Sequence, residues 1–339
     1  MIFNSDEGGK PLRGLLGGET VRVAAAALLS ALCLALSPWV RPTWASGGAI
    51  HLTIATGGAG GIYQSLGNAI ARMLSSSVPG IRVFPQPSGA SRANLALLES
   101  DQAQLAIVQS DVLHMSVKGL AGFRRPKVEV RAIASLHVEH LHVVVDARSP
   151  IEDLTQLVGR RVSVGAAGSG TELDARLLLM ELGIPYSRMR TDFLGFSESA
   201  ERLKRGEIDA FFAMGGIPLP AVAELSRSIP LRLLPIPEEV VARLRGRYPF
   251  VEEGTIPAGL YGDHPEAKTI SVRANLVCRA DLGEELVYSI ARALWERIDE
   301  IRSAHPRTRD MRLSEALRGL GAPLHPGAAR FYREKGMLN

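Results

Sequence analysis

From residue 50 onward the chain switches repeatedly between two hydrophobic rhythms. Short apolar runs at 50–55, 81–84, 105–108, 162–164 and 208–213 have the length and composition of strands. Between them, apolar positions recur at helical spacing. Ile62, Leu66, Ala69, Ile70, Met73 and Leu74 fall on one face of a helix that Val78-Pro79-Gly80 ends. Further helices are expected at 93–99, at 172–182 closed by Gly183, and at 198–204 closed by Gly206. A short helix is expected at 151–157 and a strand near 190–193. The run 130–145 reads as two extended segments, 235–266 as the least regular stretch, and 269–277 as a strand. Asp281 then opens a long helix, with Glu284 completing a capping box and Leu286, Ile290, Leu294, Ile298 and Ile301 as its buried stripe.

Strands alternating with helices define an α/β fold with mostly parallel sheets, covered by helices on both faces. Two sets of such elements are present. Each opens with an uncharged glycine turn between strand and helix, a weak internal repeat of architecture rather than identity. The expected organisation is a leader at 1–45, a first lobe at 46–146, a second at 147–265, and a return to the first over 266–339. Two lobes joined by chain crossings leave a cleft and a hinge between them.

The leader reads as an export signal. Arg13 and Arg22 precede an apolar stretch from Val23 to Leu36, and Thr43-Trp44-Ala45 is a small-x-small cleavage site, so a periplasmic location is expected. The stretch is short of the roughly 20 residues a membrane span needs. Beyond Ala45 a single cysteine remains, Cys278, which excludes an internal disulfide and reads as a buried, inert thiol. A net charge of +4, from scattered rather than clustered arginines, argues against a nucleic-acid surface.

The two glycine turns carry the candidate chemistry. They are Thr56-Gly57-Gly58-Ala59-Gly60-Gly61-Ile62-Tyr63 and Gly165-Ala166-Ala167-Gly168-Ser169-Gly170-Thr171. Such turns aim unpaired N–H groups and the positive end of a helix dipole at whatever lies in front of them. Facing each other across a cleft, they form a clamp for a small polar, anionic molecule. Gly57, Gly60, Gly61, Gly168 and Gly170 supply backbone, and Tyr63, Ser169 and Thr171 add hydroxyls. Strand ends supply further contacts: Gln109 and Ser110 after 105–108, and Ser88 ahead of the helix holding Asn94. Asp111 is alternatively a cap for the helix that follows, and Arg92 a cation or a solvent-facing side chain.

Other chemistries find less support. The first turn lacks the third glycine of a dinucleotide fingerprint, since position 63 is Tyr, and the second lacks the lysine of a phosphate loop. Ser169 lacks the G-x-S-x-G setting of a hydrolase nucleophile, so no enzymatic activity is expected. His137, His140 and His142 raise a zinc hypothesis. In an extended strand, however, only His140 and His142 share a face, and no carboxylate or cysteine nearby completes a set. Neither a metal nor a cofactor is expected.

In this order, three segments resemble the TAXI branch of solute receptors for tripartite ATP-independent periplasmic (TRAP) transporters: 55–63, Leu105-Ala106-Ile107-Val108-Gln109-Ser110-Asp111, and 164–173. Pro323-Leu324-His325-Pro326-Gly327-Ala328-Ala329-Arg330-Phe331-Tyr332 is similar too. The resemblance covers nearly all of the chain from Ile50 to about Gly336. It implies a two-lobed, type II periplasmic binding fold that delivers a small carboxylate to TRAP membrane subunits, driven by an ion gradient. Glutamate, glutamine and 2-oxoglutarate are ligands associated with the family. The chain departs in having Gln64 where a second aromatic often follows the tyrosine. A monomer is expected. The alternative is an exported ligand sensor that signals to a membrane partner.

Overall fold

The computed structural model describes residues 48–123, 129–303 and 306–339. The export-signal reading of 1–45, with its cleavage after Ala45, lies outside the described residues. Among those described, no helix is long and apolar enough to cross a membrane.

The chain runs β1 (Ile50–Ala55), α1 (Ile62–Ser77), β2 (Ile81–Gln86), α2 (Ser91–Glu99), β3 (Leu105–Gln109), α3 (Ser110–Lys118) and β4 (Val130–Asp146). It continues through β5 (Arg161–Ser163), α4 (Gly170–Glu181), β6 (Arg190–Asp192), α5 (Phe196–Lys204), β7 (Ala210–Gly215), α6 (Pro220–Leu225), β8 (Leu231–Leu233), α7 (Glu238–Arg247) and β9 (Glu252–Ile256). It ends with β10 (Ala267–Arg279), α8 (Glu284–Glu296), α9 (Ile298–Arg302) and α10 (Pro326–Glu334).

One ten-stranded sheet joins the strands in the order β2-β1-β3-β10-β4-β7-β5-β6, with β9 added on β10 and β8 on β4. The order contains the same motif twice. Strands β2-β1-β3 are parallel and meet β10 antiparallel; β6-β5-β7 are parallel and meet β4 antiparallel. The architectural repeat read from the glycine turns is therefore a repeat of topology, with β1–α1 and β5–α4 in equivalent places. Parallel strands need helical crossovers, and those crossovers cover both faces. That is why β7 is buried along its whole length. Phe212 packs into one core on one side and Phe211 into another on the other side.

The two halves are joined by β4 and β10, which pair with each other and pass together from one half to the other. On β4, residues 130–140 pair with β10, and 140–145 with β7. On β10, residues 274–278 pair with β3, and 267–271 with β9. The crossing lies at Glu139↔Val272 and His140↔Ser271.

Four expectations need correction. The strands form one sheet that is not mostly parallel, because β4 and β10 pair antiparallel with all of their neighbours. The run 130–145 is one strand, whose pairing with β10 absorbs two register shifts instead of breaking the strand. The stretch 235–266 holds α7 and β9: Glu238 and Glu239 favour the first turn of α7, and Val240, Val241 and Leu244 bury its inner face. Asp281 caps nothing. It accepts from the Arg279 guanidinium, and α8 starts after Gly283 without a side-chain cap. The stripe along that helix is buried at Leu286, Ile290, Leu294 and Ile301. Ile298 is only half-buried, because the helix breaks at Arg297. Cys278 is fully buried, and burial pushes its thiol pKa up.

Candidate functional site

A cavity of about 270 Å³ lies where the two halves meet. Its walls come from both glycine turns, from Ser88 to Ala90 ahead of α2, from the start of α5, from the end of β7, and from Glu139 at the strand crossing. Three of these walls are helix N-termini. The first turns of α1 and α5 follow Gly61 and Gly195, which supply no side-chain cap. At α4, Ser169 Oγ accepts from the Glu172 N–H at 3.1 Å. The fourth nearby terminus is spent internally: the α2 N–H groups of Arg92 and Ala93 donate to the Gly168 carbonyl at 3.1 and 3.2 Å.

Of the twelve residues singled out from sequence, eight line this cavity: Gly57, Gly61, Tyr63, Ser88, Gln109, Ser169, Gly170 and Thr171. Four do not. Gly60 sits behind the wall at φ +82, and its carbonyl accepts from the Ala221 N–H. Gly168 faces α2 as just described. Asn94 is buried beneath Ser88, where its amide donates to the carbonyls of Thr56 (2.6 Å) and Ile107 (2.7 Å) and holds β1 beside β3. Ser110 Oγ accepts from the Arg273 N–H at 3.1 Å, tying α3 to β10.

Several hydroxyls are already engaged. Thr171 Oγ1 accepts from the Met214 N–H at 3.1 Å, and Ser88 Oγ donates to the Thr56 carbonyl at 3.1 Å. Tyr63 donates to Glu139 Oε2 at 2.9 Å. Burial and the adjacent Glu139 push the Tyr63 pKa well up, so it remains a donor. Arg92 stacks its guanidinium 4.2 Å from the centre of the Phe123 ring.

Glu139 is one of the lining residues that sequence reasoning missed, and Glu198 is a second acid among them. Glu139 is 2% exposed, and its Oε1 lies 3.6 Å from His137 Nε2. Among the described residues, no lysine or arginine lines the cavity. Phe196, Met214, Leu219 and Ile62 supply an apolar wall. The one sequence signal for Glu139 is an acid within an apolar strand, between His137 and His140.

Those histidines divide between the two faces of β4. His137 stays with Glu139, its ring edge-on to Tyr63. His142 points away, accepting at Nε2 from Tyr261 (3.0 Å) and donating from Nδ1 to the carbonyls of His140 and Ala213. The Tyr261 hydroxyl in turn accepts from the Leu219 N–H at 2.6 Å, which positions one edge of the cavity. Among the described residues, no three His, Cys, Asp or Glu side chains are grouped to hold a metal ion.

Fold and cavity together define the class: this is the architecture of periplasmic binding proteins, two α/β halves over a central cavity. PhnD1 of Prochlorococcus marinus (MIT 9301), solved with methylphosphonate, has a TM-score of 0.53 at 12% identity, covering 85% of this chain and 99% of that one. A protein of Bordetella bronchiseptica RB50 gives 0.51 at 18% identity, covering 85% and 89%. The periplasmic aliphatic sulphonate binding protein SsuA of Escherichia coli gives 0.45 at 13%, covering 85% and 84%. At such identities the likeness to the first two is one of fold. The chain belongs to the NMT1-like family, whose model matches residues 54–336.

Proposed function

We propose that this protein is an exported solute receptor that closes around a small carboxylate and hands it to the membrane subunits of a TRAP-type transporter. The observation that carries the reading is the cavity itself, placed at the strand crossing with the first turns of α1, α4 and α5 at its walls. Its volume lies just below the roughly 300 Å³ at which pockets for drug-sized ligands begin, which suits a compact metabolite. Helix N-termini favour a carboxylate without a cationic side chain. The TRAP assignment, and with it the periplasmic location, draws support from the order of the motifs at 55–63, 105–111 and 164–173.

Glu139 narrows the ligand. A buried carboxylate facing the cavity asks for a donor, and an ammonium group supplies one. An amino acid, with its carboxylate at the helix termini and its amine on Glu139, matches both poles. Glu139 already places a carboxylate at the cavity and, among the described residues, no lining lysine or arginine offsets it, which disfavours a second carboxylate on the ligand. Glutamine therefore fits better than glutamate, and both better than 2-oxoglutarate, which has no amine.

A thermal-shift panel tests this on protein first unfolded and refolded to strip carried-over solute. A ligand at about a hundred times its Kd adds roughly 2.7 kcal/mol of stability. A shift with glutamine or a related amino acid supports the reading. No shift with any amino or carboxylic acid in the panel rejects it.

A further inference from the structure

Beneath the cavity two acids from opposite halves meet, and among the described residues no cation lies between them. Asp111 lies in the first turn of α3 and Asp174 in α4; they are 0% and 2% exposed. One nitrogen bridges them: Gln109 Nε2 donates to Asp174 Oδ2 at 2.8 Å and to Asp111 Oδ1 at 3.3 Å. Asp111 Oδ2 is buried and, among the described residues, receives no hydrogen bond. The group facing it is the Asp174 carboxyl, which can donate only when protonated.

We propose that Asp111 and Asp174 form a proton-binding site at the seam between the halves, so that closing takes up one proton from solvent and opening returns it. The closure step rests on the receptor reading above; the shared proton does not. Two carboxylates this close in a dry setting cannot both be ionised, and one proton turns their repulsion into a hydrogen bond. Burial raises the ionisation of both acids above the ordinary carboxylate range, and repulsion from Asp111 adds to it at Asp174. In an open molecule each would be hydrated and would ionise at its usual pH.

The surrounding groups do not supply the missing charge. From α1, Tyr63 is committed to Glu139; from β4, Glu139 adds negative charge and His137 faces Glu139. Within α4, Arg176 pairs with Glu172, whose carboxylate also accepts from Tyr186. From β10, the Arg273 guanidinium goes to Glu315 and Ser135. Along α3, His114 packs against Phe250, and Lys118 lies in the last turn.

The test uses the full chain, free of solute, with spin labels on the exposed positions Ala96→Cys and Lys204→Cys, one in each half. Infrared spectra of the same samples read the protonated carboxyl stretch. The closed share is expected to fall as pH rises from about 5 to about 8, by up to about tenfold per unit once the pair ionises. The carboxyl band is expected to fall with it. Asp174→Asn and Asp111→Asn, each permanently neutral, are expected to lose the band and the pH response while still closing. Three results would overturn the proposal: no closed population even at about pH 5, a closed population without the band, or a band that survives in both variants and so belongs to another acid. A solute panel without a binder would reject the receptor reading and leave the band unaffected.

Discussion

Tyr63 and Glu139 are joined across the floor of the cavity by a hydrogen bond of 2.9 Å, from the hydroxyl that begins α1 to the carboxylate at the strand crossing. It links an element of one half to the place where both long strands change halves. Tyr63→Phe leaves a buried carboxylate without this donor. It is expected to lower stability by about 1–3 kcal/mol, read by urea unfolding. Adding Glu139→Gln is expected to recover part of that loss, because the stranded charge is gone.

Gly170 and Gln109 touch where the halves close. A methyl group at position 170 would overlap the Gln109 carboxamide. Gly170 is the first residue of α4, a position whose backbone accepts alanine. Gly170→Ala is therefore expected to hinder closing rather than folding, weakening solute binding by about 1–3 kcal/mol. Gln109→Ala in the same chain is expected to relieve the overlap. Calorimetric titration of the three variants checks this; equal affinity in Gly170→Ala and wild type would contradict it.

Ser169 has a structural duty that its place in the cavity wall conceals. Its hydroxyl caps α4 at the Glu172 N–H. Ser169→Ala is expected to cost about 0.5–2 kcal/mol of stability, and Ser169→Thr, which keeps a capping oxygen, much less. If both variants unfold like wild type, the cap contributes nothing.

Burial lowers the His142 pKa from 6.5 to about 4, so the ring is neutral in the folded chain. Between those values the unfolded chain binds a proton that the folded chain does not. Stability from this residue therefore rises with pH across the window, by at most about 3 kcal/mol. Asp111 and Asp174 act in the opposite sense: their raised ionisation favours the folded chain at low pH and is lost as pH rises. Comparing His142→Gln with wild type cancels the acids. The variant is expected to show a smaller gain in unfolding free energy from about pH 4 to 6.5, and parallel profiles would contradict this.

Much of the fold was legible because its rules are local. Strand length, helical periodicity and two uncharged glycine turns were enough to locate β1–α1 and β5–α4, and their equivalence emerged in the sheet order. The eight lining residues found in advance lie in or beside strand-to-helix turns, where open α/β sheets place ligands. What sequence hid depends on partners far along the chain. Glu139 becomes a cavity residue only because β4 crosses between halves beside β10. Asn94 and Ser110 look like ligand contacts until their distant backbone partners are seen. Phe196, Met214 and Leu219 carry no local signal, and only the meeting of the halves turns them toward a shared space.

The most direct test of the account is calorimetric titration of refolded wild-type and Glu139→Gln protein with L-glutamine and with 2-oxoglutarate. The account predicts saturable binding of glutamine at one site in wild type, weakened in Glu139→Gln by about 1.5–3 kcal/mol, the worth of a charge-assisted hydrogen bond. It predicts weaker binding of 2-oxoglutarate, unchanged or improved in the variant. Glutamine binding that is absent, or undiminished in Glu139→Gln, would contradict it.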